Sequence, residues 1–170
     1  MDYTHLHVHS HYSLLDGLPK IDELVAKAKE YGMKALALTD HGVMYGAIEF
    51  YQKAKAAGLK PIIGVESYIA PNGHTQKRPK IDEHPFHIVL LAKNKIGYQN
   101  LIKLTSLAHL EGFYYRPRVD FELLKKYGEG LIALTACLQG EIPRLIINKN
   151  YEGAELAIKK YQASEYVLSS

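Results

Sequence analysis

Short apolar runs along this chain alternate with stretches whose apolar residues recur every three or four positions, the pattern of buried strands and amphipathic helices. Tyr3 to Val8 is a short β-rich run, and Ile21, Leu24, Val25 and Ala28 after it share one face of a helix. Lys34 to Thr39 is a continuous apolar run of buried-strand length, stopped by Asp40, His41 and Gly42. Helical spacing then resumes through Ala47, Phe50, Tyr51 and Ala54 and stops at Gly58. Pro61 to Ile69 and Phe86 to Leu91 repeat the strand signal. The polar segment between them, Pro71 to Pro85, holds three prolines and a basic cluster and predicts an exposed loop away from the core. Tyr98, Leu101, Ile102, Leu104 and Thr105 predict another helix, and Gly130 to Ala133 a fifth strand. Helices are expected from Glu141 to Ile147 and from Tyr151 to Tyr161. The alternation points to a parallel-sheet α/β architecture, either an open sheet or a β/α barrel.

Composition narrows this picture only slightly. With 170 residues, 47% of them hydrophobic, the chain can bury one ordinary core and is too short for two well-developed domains. A net charge of +3 is a mild basic excess that does not by itself imply nucleic acid. The single cysteine, Cys137, excludes an intrachain disulfide, and no apolar stretch reaches membrane-spanning length, so a cytoplasmic protein without a membrane partner is expected. Nine histidines are more than ordinary usage, and four of them fall at every second position near the start.

In a strand, residues two apart share a face, so His5, His7 and His9, with His11 next in the series, would project together while Leu6 and Val8 point away. Imidazoles so placed can bind one metal ion or bridge two. Asp40 and His41 sit where an apolar strand ends, the rim at which β/α folds place their chemistry, although Asp40 could equally cap a helix. Glu66 follows Pro61 to Val65 in the same manner, and a buried carboxylate there needs a partner or a cation. Cys137 closes the run from Leu131 to Ala136 and on its own reads as a small core residue. His87 opens its run, which would place it at the opposite rim of a parallel sheet. Asp16 belongs to the first loop, where Asp-Gly is also a plain turn signal, and His74, His84 and His109 read as surface residues. There is no Gly-rich phosphate loop and no nucleophile elbow, so covalent serine chemistry is not expected. Imidazoles, carboxylates and one thiol suit zinc, manganese or iron, and such a centre suits hydrolysis of a phosphoester.

The string from His5 to Gly17, with Leu38 to Gly42 and Gly64 to Glu66 after it, resembles the polymerase and histidinol phosphatase (PHP) family. Ala47 to Tyr51, Phe86 to Asn94, Gly97 to Leu101, Glu111 to Arg118 and Gly130 to Pro143 are similar to the version of that domain found in bacterial replicative polymerases. The resemblance implies a distorted, TIM-like (β/α)7 barrel, incomplete at its C-terminal side, with residues 1–162 as the N-terminal part of the domain and 163–170 as a tail that departs from the family pattern and whose origin the sequence leaves open. It implies His7, His9, His41 and Glu66 as catalytic metal ligands, with Asp16, His87 and Cys137 at further metal positions and His5 and Asp40 behind them. Arg116 and Arg118 would meet substrate phosphate. Two to three zinc or manganese ions are implied in an intact domain, iron being an alternative, and a late Asp-x-His motif that would supply two more ligands does not occur after Pro143 in this sequence. The implied partners are DNA, the remaining domains of the polymerase and a proofreading exonuclease subunit. The implied activity is a metal-dependent phosphoesterase or 3′–5′ exonuclease; the alternatives are a noncatalytic metal-binding interaction module and, lower, a histidinol-phosphatase-like enzyme.

Overall fold

A computed structural model describes residues 3–163 of the chain. Helix α1 (Ile21–Glu30) presents Ile21, Val25 and Ala28 to the core. Its first turn carries Asp22 and Glu23 and its last Lys27 and Lys29, each set opposing the helix dipole, and the Glu23 carboxylate accepts the Lys20 amide N–H at 2.8 Å. Strand β1 (Ala35–Leu38) leads to α2 (Ala47–Ala56), and Gly58, at φ +80°, turns the chain into β2 (Lys60–Ile69). Strand β3 (Phe86–Ala92) and helix α3 (Lys95–Leu110) follow, the helix capped by Asn94, whose side chain accepts the Gly97 N–H. Then come β4 (Arg118–Val119), α4 (Phe121–Tyr127), β5 (Leu131–Leu134), α5 (Glu141–Ile147) and α6 (Tyr151–Ala163).

The strands form one sheet in the order β1-β2-β3-β5, with β4 paired to β2 beyond the end of β1. It is mixed rather than parallel: β1 and β4 run parallel to β2, but β3 is antiparallel to both β2 and β5. Among the described residues the sheet does not close. The α/β class and the incomplete sheet match the sequence reading; the all-parallel arrangement does not, because apolar runs of this length are equally compatible with either strand direction.

Two other expectations are corrected. Tyr3 to Val8 forms no strand. It runs beside β1, the His5 and Val8 carbonyls accepting the Ala37 and Thr39 N–H groups and the Val8 N–H donating to the Thr39 hydroxyl. Strand β4 and helix α4 were not anticipated, although Asp120, whose carboxylate accepts the Leu123 N–H at 2.9 Å, and Gly128 bracket the helix. The proposed tail, 163–170, falls outside the described residues except at its first position, which ends α6.

Alternation along the strands divides the sheet into two faces. Val65, Ile69, Ile88 and Leu90 pack with α3, α4, α5 and α6 into the main core, while Val89 and Leu91 join Ala37 on the other face. A further cluster holds α1 and α2 against β1 through Ile21, Val25, Phe50 and Leu38. With Val65 facing the helices, Glu66 and Tyr68 bracket Ser67 with the opposite alternation, toward the first loop.

Candidate metal centre

Glu66 lies on β2 with its side chain only 1% exposed, and four imidazoles converge on it. His7 Nε2 and His9 Nε2 each lie 2.9 Å from Oε2, and His41 Nδ1 lies 3.1 Å from the same oxygen. On the other side His87 Nδ1 is 2.8 Å from Oε1, and Cys137 Sγ is 3.7 Å from both Oε1 and His87 Nδ1. Asp16 Oδ2 reaches His41 Nε2 at 2.9 Å. Three overlapping groups have ligand atoms close enough to share an ion: His7, His9 and Glu66; His9, Asp16 and His41; His41, Glu66 and His87.

Strand direction explains this convergence. His41 continues from β1 and bridges to Glu66 in parallel register. Because β3 is antiparallel, its beginning lies beside the end of β2, and His87 pairs directly with Tyr68. The expected placement of His87 at the far rim is thereby overturned. β5, antiparallel to β3, delivers its C-terminal end to the same rim, but Cys137 lies in the turn three residues beyond the strand, after Ala136 at φ +61°, and is exposed rather than core.

The loop that brings His7 and His9 here is fixed from behind. Asp40, 1% exposed, accepts the Ser10 N–H at 2.7 Å, the Ser10 hydroxyl at 2.8 Å and the Ser13 hydroxyl at 2.7 Å. It is not a helix cap, since α2 begins after Gly46. The loop also closes on Gly17, where a Cβ would stand 1.9 Å from the Ser10 carbonyl oxygen, so only glycine fits.

The family model for the PHP domain matches residues 5–164. The chain belongs to the PHP domain family. This PHP domain is 51% identical to the DNA polymerase III subunit alpha of Borreliella burgdorferi over 170 residues, which is 98% of this chain and 15% of that protein. It is 50% identical to the same subunit of Aquifex aeolicus over 168 residues, 95% of this chain and 14% of that protein. The chain thus spans about one-seventh of the length of these relatives. A solved amidohydrolase from Chromobacterium violaceum, with bound sulfate and no metal, overlays on 61% of this chain and 34% of its own at 26% identity and a TM-score of 0.43, too low to bear on fold or chemistry.

The residues of this PHP domain fit divalent cations. Burial opposes ionisation of Glu66, but hydrogen bonds, chiefly from His7 and His87, outweigh it and hold the carboxyl far below the usual carboxylate range. Burial likewise lowers the pKa of His41, against the pull of Glu66 and Asp16, favouring the neutral imidazole that metals require. Most telling, His41 Nδ1 is buried and 3.1 Å from a carboxylate oxygen, yet makes no hydrogen bond. His7 Nε2 and His9 Nε2 are themselves only 3.0 Å apart. Ring nitrogens crowded on one another and on a carboxylate in this way are satisfied by a shared cation.

Several sequence-predicted positions fall elsewhere. The exposed His5 ring packs edge-on against Tyr3, and the His11 ring lies on Tyr12 with Nδ1 buried and unbonded; neither joins the cluster, because the segment is not a strand and its alternation does not persist. Arg118 is fully buried, and four of the five N–H groups of its guanidinium donate to the carbonyls of Gly112, Asp82, His74 and Gln76, so it is turned into the protein rather than toward a phosphate. Arg116 is exposed, with its guanidinium 5.7 Å from the Tyr68 ring centroid. His84 is exposed as expected, but His74 is mostly buried and its Nδ1 meets Asp120, while His109 Nε2 donates to the Gly42 carbonyl at 2.9 Å.

Two features were not read from the sequence. One is Ser13. The other is an aromatic wall: a cleft of about 450 Å³ beside the cluster, lined by Tyr12, Tyr45, Tyr68, Phe113, Tyr115 and Arg116. Tyr68 was within reach, lying two residues after Glu66 on the same strand face.

Proposed function

We propose that this PHP domain is a metal-dependent phosphoesterase of a replicative DNA polymerase alpha subunit, hydrolysing the terminal phosphodiester of a mispaired 3′ DNA end. The observation that carries this reading is the single buried carboxylate, Glu66, ringed by His7, His9, His41 and His87 at 2.8–3.1 Å. In the proposed roles Glu66 with His7 and His9 would hold one ion, Glu66 with His41, His87 and Cys137 a second, and Asp16 with His9 and His41 would offer a third position. Zinc or manganese suits the mixed nitrogen, oxygen and sulfur donors, with iron the next choice. Divalent ions so held activate water near neutral pH and neutralise charge on a phosphoester.

The chain's own residues supply the rest. Arg116, exposed and lining the cleft, is the residue proposed to meet a phosphate. The ring-lined wall suits an unpaired nucleotide, because every base offers a π-face to stack and no particular sequence is required. The proposed setting is cytoplasmic, with DNA, the remaining polymerase domains and a proofreading exonuclease subunit as partners; no described helix is long and apolar enough to cross a membrane.

Metal content by elemental mass spectrometry tests the centre, on protein purified without chelator or affinity-tag histidines beside a His7→Ala, His9→Ala double variant. Near-stoichiometric zinc, manganese or iron that vanishes in the double variant is expected, together with faster turnover of single-stranded DNA than of a phosphomonoester. Stoichiometric metal without any hydrolysis would instead mark a structural module, and faster phosphomonoester turnover a small-molecule phosphatase.

A further inference from the structure

Neither Ser13 nor Asp40 is itself a candidate metal ligand, yet together they determine which nitrogen of His9 is available to a metal. We infer that Ser13 is a positioning residue that, with Asp40 behind it, locks His9 in the tautomer whose Nε2 carries a bare lone pair. This rests on the metal-centre reading and extends it to residues outside the ligand set.

The Ser13 hydroxyl is 1% exposed, so water does not complete its bonding. Its oxygen has three neighbours: Asp40 Oδ1 at 2.7 Å, the His41 backbone nitrogen at 3.1 Å and His9 Nδ1 at 3.0 Å. A hydroxyl has one proton and two lone pairs. The carboxylate only accepts, so it takes the proton; the His41 N–H only donates, so it takes one lone pair. The remaining lone pair faces His9 Nδ1, which must therefore be the protonated nitrogen. Nε2 of a neutral His9 is then an acceptor, aimed at Glu66 Oε2 at 2.9 Å and His7 Nε2 at 3.0 Å. An acceptor facing a carboxylate oxygen is unfavourable until a cation stands between them, so the buried serine prepares the site for one.

Asp40 fixes Ser13 through geometry more than through charge. The Ser10 N–H points at Oδ1, and a backbone donor cannot rotate away. In Asp40→Asn the amide oxygen must occupy that position and its NH2 the other, where the Ser10 hydroxyl can accept. The Ser13 proton keeps its direction, and His9 keeps its tautomer. Ser13→Ala removes the acceptor altogether.

Long-range proton–nitrogen NMR of the histidine rings in the metal-free protein, at a pH where His9 is neutral, reads the tautomer directly. The unaltered protein and Asp40→Asn are expected to show His9 protonated at Nδ1. Ser13→Ala is expected to lose that preference and to bind zinc or manganese about 10- to 100-fold more weakly by titration, with backbone amide shifts away from the loop unchanged. A His9 protonated at Nε2 in the unaltered protein overturns the inference whether or not the variants fold. So does Ser13→Ala with the unaltered ring signature and metal affinity. Failure of the metal-centre reading is distinguishable: the Nδ1–H tautomer would then be present without zinc or manganese binding in any form of the protein.

Discussion

Glu66 and His41 respond to acid in the same direction for different reasons. Folded Glu66 gives up its proton more readily than an ordinary carboxyl at 4.5, because histidine hydrogen bonds outweigh its burial; folded His41 resists taking a proton relative to the ordinary 6.5, because it is buried. Both groups bind more protons when unfolded than when folded at mildly acid pH, so stability rises with pH through these ranges. For the metal-free protein the melting temperature should fall on acidification, first below about 6.5 as unfolded His41 protonates and again below about 4.5 as unfolded Glu66 does. A melting temperature that climbs between neutrality and pH 5 would contradict this. Glu66→Gln should shrink the lower limb, to which Asp82 and Asp120, whose carboxyls are also held low by Arg78 and His74, still contribute, and with its charge gone should weaken zinc or manganese binding by about 100-fold, read by competition with a chromogenic chelator. These donors were legible in the sequence because imidazole and carboxylate are recognisable by type and spacing. Ser13 was not, since a serine becomes a positioning residue only through the groups packed around its hydroxyl.

Among the elements, the strand boundaries carried most of the site and the loops carried its surprises. The segment from 71 to 85 was expected to be a detached polar loop, and most of its surface is exposed, but Arg118 on β4 donates to three of its carbonyls, those of His74, Gln76 and Asp82. Within the loop Arg78 forms a two-point pair with buried Asp82, through Nε at 2.8 Å and Nη2 at 3.0 Å. Arg118→Leu should therefore leave several inward-facing carbonyls without donors and cost about 3 kcal/mol or more of stability by urea denaturation. Limited proteolysis should cut between 71 and 85 earlier in that variant; an unchanged cleavage pattern would mean the loop is held by other contacts. β4 escaped the sequence reading because two residues cannot display a period, whereas α4 left a readable cap at Asp120 and a stop at Gly128.

At the scale of the whole molecule, the open sheet has a physical consequence. β5 pairs with β3 on one side and, among the described residues, has no strand on the other. An unpaired edge is a template for another chain. Concentration-dependent self-association is therefore expected for the isolated chain in size-exclusion chromatography with light scattering, and a monomer that persists across the whole concentration range would show that the edge is protected. The sequence by itself determined the α/β class, the main helices and strands, and the donor types of the centre, because period, turn chemistry and ligand chemistry are local properties. Only the tertiary structure decided that β3 runs antiparallel and so brings His87 to Glu66, that His7 and His9 enter the cluster while His5 and His11 do not, and that Arg118 is a clamp while Arg116 is exposed. Each of those outcomes depends on hydrogen bonds between segments far apart in the chain, which no local spacing encodes.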